Sequence, residues 1–426
     1  MVTLKHVTVQ SSPDLKIALN QPNKFIAGQT ISGYVLRKSH YADSDACLLV
    51  RLRGHTEWVM QIFNGTTSSL TRSCFNFFED SSESVALHMG PLHIPEENSE
   101  WLKWPFSIVL PKNPRQGAFR NVHEKEISYL PLSEASSQQL PPSCVWKNFD
   151  TTRHTKGHVE YYLEAGLIGS GKKKGNKTYH ASQPLNMQLT TPPIPITDFS
   201  TKHPLPFRRK ITSQCLIPGI TKLSVGQKLQ KVLVSSKVPH YTFELHLELA
   251  NLLQIQNSNT IPLRLWVKPI WNLTSEMVQG VPQMVLVKRF VLNLQTKISY
   301  ASRRLRGSKE RIDQLTHVLM DYSSQAVLKD HVALKAQGER LEEDSPGPDM
   351  LIVPVDNEHP PLDLGAALGI HAPRATSGEL SLDPTFATFN MKNQHSIEYK
   401  LELAIAGETR CFDGSESVLV IGPNCN

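Results

Sequence analysis

The chain has 426 residues, 39% of them hydrophobic and 20% charged, with a formal net charge of +6. That balance excludes a disordered chain, and the length exceeds what one hydrophobic core accommodates, so two domains are expected. A charge this small for the length also argues against wholesale nucleic-acid binding, which needs a concentrated basic face. The opening stretch MVTLKHVTVQSSPDLK lacks the apolar core of a signal peptide. No window approaches the length of a spanning helix, so the expected location is cytoplasmic. Cys47, Cys74, Cys144, Cys215, Cys411 and Cys425 are scattered with no CxxC, a spacing that fits isolated reduced thiols.

Strand signals begin with Leu15, Ile17 and Leu19, which alternate with polar or small neighbours. Asn20, Pro22 and Asn23 supply a turn. A second strand places Ile31, Gly33 and Val35 on one face, with Gly28 in the preceding turn. Residues 48–54 (LLVRLRG) and 55–63, centred on Trp58, read as two further strands. An aromatic piece at 73–80 and a polar loop come next. Then Phe106, Ile108 and Leu110 alternate before Pro111 stops them. Residues 115–139 read as a polar loop insertion, and 158–165 (HVEYYLEA) as a strand.

The clearest boundary is residues 190–209, TTPPIPITDFSTKHPLPFRR, whose five prolines favour an extended connector. Strand signals restart at 232–234, then 241–249, 261–267 and 285–294, and return at 386–389 and 397–406. Between them, residues 303–343 are charged and carry Ile312, Leu315, Leu319 and Leu328 at roughly helical spacing; 344–358 turn acidic and proline-rich. This reads as a surface insertion with a partly formed helix.

Chemistry-bearing motifs are sparse. GLIGSGKK at 166–173 nearly satisfies the phosphate-cradling pattern, but Lys173 replaces the hydroxyl that would hold Mg²⁺ and no helix follows. A hairpin turn is the better reading. The same tip gathers Lys172, Lys173, Lys174 and Lys177, candidate contacts for an anionic lipid or acidic partner, each cation contributing on the order of 1 kcal/mol near an anionic leaflet. His154 and His158 stand four apart, yet on a strand that spacing separates them by about 13 Å, so both read as ordinary polar histidines. Asp43 and Asp45 read as loop acids with no partner. No metal or cofactor site and no catalytic residue is assigned.

Several segments together resemble the arrestin family. They are Leu15-x-Ile17-x-Leu19, then Phe25-x-x-Gly28-x-x-Ile31-x-Gly33-x-Val35, then Pro105-Phe106-x-Ile108-x-Leu110-Pro111. Leu140-Pro141-x-Ser143, Val159-x-Tyr161-x-Leu163-x-Ala165 and Ile397-x-Tyr399-x-Leu401-x-Leu403 follow in the expected order. The likeness is to the alpha class of the family. It implies an all-β chain of two consecutive antiparallel, immunoglobulin-like β-sandwiches: 1–190, a proline-rich linker at 191–207, and 208–426 with the charged insertion at about 303–358. It further implies a non-catalytic adaptor or scaffold linking cytosolic segments of membrane transporters or receptors to endocytic or ubiquitin-dependent sorting machinery, with peripheral membrane contact. Alpha-class members often carry P-P-x-Y segments that dock ubiquitin ligases. Here the Pro-Pro pairs at 141–142, 192–193 and 360–361 lack the tyrosine. The alternatives are an endosomal coat subunit of the retromer kind and, less well supported, a sandwich-fold enzyme.

Overall fold

The computed structural model describes residues 12–79, 83–96, 100–115, 129–130, 134, 137–149, 151–169, 178–189, 194–220, 238–304, 307–323, 351–355, 359–373 and 382–423. The chain is almost entirely β. In order, the strands are β1 (Leu15–Leu19), β2 (Phe25–Ile26), β3 (Thr30–Arg37), β4 (Tyr41–Asn64), β5 (Thr67–Asn76), β6 (Ser84–Ile94) and β7 (Leu102–Val109). Then come β8 (Cys144–Phe149), β9 (Arg153–Ile168), β10 (Thr178–Leu185), β11 (Met187–Gln188), β12 (Phe207–Thr212), β13 (His240–Leu249) and β14 (Leu252–Gln254). The remainder are β15 (Leu263–Pro269), β16 (Val285–Arg304), β17 (Gly307–Ser323), β18 (Ile352–Val353), β19 (Leu362–Asp363), β20 (Phe386–Ala387), β21 (Met391–Ile405) and β22 (Glu408–Ile421).

Among the described residues the sheets run β1-β3-β7; β10-β9-β4-β5, with β6 also on β4 and β8 on β9; β12-β13-β15-β19; and β14-β22-β21-β16-β17, with β18 on β16 and β20 on β21. Pairing is antiparallel except for the short β2–β11 and β14–β22 contacts. The chain divides into two compact units: Met1–Thr191 with Lys297–Asp313 and Thr376–Asn393, and Pro192–Thr296 with Gln314–Ala375 and Gln394–Asn426. The first boundary falls at the proline-rich stretch. The two later segments that return to the first unit had no signature in the sequence.

In the first unit the alternation anticipated for β3 is realised, with Ile31, Gly33, Val35 and Arg37 buried on one face. Gly33 is required by close approach: a Cβ there would sit 2.2 Å from the Ala18 carbonyl oxygen and 2.9 Å from the Phe106 ring. β4 is one strand of 24 residues rather than the two expected; it borders β6 over its first half, β5 over its last, and β9 along most of its length. The segment after residue 83, expected as loop, is β6; register shifts where it meets β4, between Asp43 and Ala46 and between Leu48 and Leu49, blur its periodicity. Leu48, Val50, Leu52 and Trp58 from β4 pack with Val159, Tyr161, Leu163 and Ala165 from β9 in one core.

The second unit buries the alternate residues of β13, Tyr241, Phe243, Leu245, Leu247 and Leu249, within the strand expected at 241–249. The helix expected within 303–343 is not formed over its described part, which is β17. There Asp313, Leu315, His317 and Leu319 point inward while Ile312, Gln314, Thr316 and Val318 are exposed, a period of two. The expected strand at 232–234, residues 116–128 of the loop insertion and Leu328 lie outside the described residues.

Candidate functional site

The lysines singled out by the sequence, Lys172, Lys173, Lys174 and Lys177, lie outside the described residues. The flanking strands β9 and β10 pair antiparallel, with Thr178 opposite Ile168. Asp43 and Asp45 sit within β4 at its irregularity rather than in a loop, the Asp45 N–H donating to Asp43 Oδ1 at 2.9 Å. Pro141 and Pro142 are buried, and the Pro141 carbonyl accepts the Tyr161 hydroxyl at 2.9 Å. That proline pair is therefore part of the first unit's interior.

His154 and His158 part company as their spacing requires. His154 is exposed and stands edge-on between the rings of Phe63 and Phe149. His158 is buried on the same strand face, 6% exposed. The β4–β9 register sets His55 opposite Glu160 and Glu57 opposite His158, so four ionisable side chains occupy one patch of the sheet. His55, itself 5% exposed, has its Nε2 3.3 Å from Nε2 of His158. The same His158 nitrogen lies 3.6 Å from Glu160 Oε2 and 3.8 Å from Glu57 Oε2. Glu57 is also ion-paired through its other oxygen to Arg72, and the His55 ring stands edge-on to Tyr162. Donor atoms of His55, His158 and Glu160 all fall within 4.8 Å of one another.

Beside this patch lies a cavity of about 440 Å³ whose walls include Cys144, His158, Glu160, Tyr161, Leu185 and Asp383. Its origin is a step in the sheet. β8 follows β9 only as far as Cys144 opposite Val159, and β10 ends with Leu185 opposite Tyr161. Glu160 sits at the step between them. Burial raises the carboxyl pKa of Asp383 to about 7. Burial, reinforced by Asp383, holds the Cys144 thiol well above its ordinary range. On the neighbouring β5, burial and the Glu57 charge push the Cys74 thiol up to about 11. Cys47, Cys74, Cys144, Cys215 and Cys411 are all free thiols.

The sequence reading left His158 an ordinary polar histidine because His55 is 103 positions away and meets it only through strand register. The local signal that could have helped is His158-Val-Glu160, two polar side chains of opposite character on one face of a strand. β8 adds a further feature: among the described residues it pairs only with β9, and it exposes Val145 (47%) and Phe149 (58%). Among the described residues no helix is long and apolar enough to cross a membrane. No protein-family model and no curated protein matches the chain.

Proposed function

We propose that this chain is a non-catalytic, arrestin-like adaptor that binds extended cytosolic segments of membrane transporters or receptors and couples them to endocytic or ubiquitin-dependent sorting. The observation that carries the reading is the open edge of β8. Its outer N–H and C=O groups face no further strand among the described residues, and Val145 and Phe149 present apolar side chains two strand-steps apart on one face. A partner segment in extended form adds to such an edge through main-chain hydrogen bonds, and alternate side chains supply specificity. The adjoining cavity offers a place for one anchoring side chain. The segments that carry the family resemblance support the same reading, since they lie in β1, β2 and β3, β7, the lead into β8, β9 and β21.

The test is proximity labelling of the tagged protein in its own cells, followed by mass spectrometry, with Val145→Lys/Phe149→Lys alongside. The expected result is enrichment of membrane transporters or receptors together with ubiquitin ligases or clathrin adaptors, lost in the double variant. Capture of one coat complex at fixed stoichiometry would transfer the reading to a retromer-like subunit. Enrichment of neither, or enrichment indifferent to the β8 changes, would remove it.

A further inference from the structure

We propose that His55, His158 and Glu160 form a zinc site on the first unit's sheet, with Glu57 as the fourth ligand. A tetrahedral Zn²⁺ with bonds of about 2.0–2.1 Å holds two ligand nitrogens roughly 3.3–3.4 Å apart. The Nε2 atoms of His55 and His158 face each other at 3.3 Å. The carboxylate oxygens of Glu160 and Glu57 stand 3.6 and 3.8 Å from His158 Nε2, so modest side-chain adjustment brings each to bonding distance of a shared ion.

The surroundings suit a resident cation. All four groups come from two paired strands, β4 and β9, in the interior of a sheet, which fixes their spacing as a built metal site requires. Both imidazoles are buried. Two neutral imidazoles and two carboxylates balance a divalent ion, removing the cost of an uncompensated buried charge. Arg72 holds the second oxygen of Glu57, the kind of outer contact that aims a metal-binding carboxylate. The cavity walled by His158 and Glu160 gives the ion a way in. Nitrogen and oxygen donors in this number suit Zn²⁺ better than Ca²⁺ or Mg²⁺, which prefer all-oxygen shells.

This site stands independently of the adaptor reading. The test is titration of the chelator-stripped full-length protein with Zn²⁺ against a chromophoric competitor. The expected result is one tight equivalent, weakened at least about 100-fold by His55→Ala or His158→Ala and about 10–100-fold by Glu57→Gln, and untouched by His154→Ala. Because a histidine variant can fold poorly, Co²⁺ loading of the unaltered protein provides a second reading: the intense visible absorption of a tetrahedral complex is expected. A protein that takes up no stoichiometric Zn²⁺, one whose binding survives both histidine changes, or a Co²⁺ spectrum of the weak octahedral type would overturn the assignment.

Discussion

Tyr300 donates its hydroxyl to Asp313 Oδ2 at 2.8 Å while accepting the indole N–H of Trp146 at 2.6 Å. The opposite oxygen of Asp313 is held by Arg153 at 2.9 Å, and the Tyr300 ring stacks on Trp146. A buried indole, phenol and carboxylate, ending on a partly exposed guanidinium, thus form one continuous chain in the first unit. Burial and the adjacent Asp313 charge raise the Tyr300 pKa, so the phenol stays a donor.

Removing the middle link is expected to cost more than one hydrogen bond. Tyr300→Phe leaves the Trp146 N–H and one oxygen of Asp313 unsatisfied in a site closed to water. Each stranded group costs about 1–3 kcal/mol, so the two together are expected to cost about 2–6 kcal/mol. Chemical unfolding followed by tryptophan fluorescence measures it. A change under half a kcal/mol would mean that the chain of contacts adds nothing to stability.

How much of this was legible depends on which side chains face inward. β3 and β13 could be read because their buried faces are apolar throughout, apart from Arg37 at the end of β3. β17 could not. Its inward set, Asp313, Leu315, His317 and Leu319, includes two polar residues, and the remaining apolar positions 312, 315 and 319 mimic a helical stripe. Asp313 faces inward to meet Tyr300 and Arg153, so the pairing that misleads the periodicity is the one just described. The histidine–glutamate patch was hidden for another reason. Residue types were visible, but the register that places His55 beside His158 belongs to tertiary structure, and no sequence period encodes it.

Asp383 gives the first unit a pH dependence of defined sign. Its carboxyl is raised from 3.8 to about 7 by burial. Below about pH 3 it is protonated in both folded and unfolded chains. As pH rises from about 4 to 7 the unfolded chain releases this proton while the folded chain keeps it, so stability falls across that window. Asp383→Asn removes the contribution. In metal-free buffer the variant is expected to match the parent at about pH 3 and to exceed it by about 4 kcal/mol at pH 8. Parallel stability curves for the two proteins would sink this account of the carboxyl.

The β21–β22 hairpin carries a correctable strain. Ile405 pairs with Glu408, leaving a two-residue loop in which Ala406 has φ 49° and Gly407 φ 78°. Two positive values in succession define the turn whose twist matches that of its strands, and its favoured sequence is Asn-Gly. Gly407 already fits. Ala406 does not: a β-carbon in the left-handed region costs about 1–2 kcal/mol, a penalty that Asn relieves by local hydrogen bonding. The Ala406 carbonyl accepts the Ser213 hydroxyl at 3.0 Å, a main-chain contact that a new side chain leaves in place. Ala406→Asn is therefore expected to raise stability by about 0.5–1 kcal/mol, whereas Gly407→Ala lowers it by about 1 kcal/mol. Thermal unfolding of the pair checks both directions at once. An Asn variant no more stable than the parent would show that strand pairing, rather than the loop, sets the strength of this hairpin.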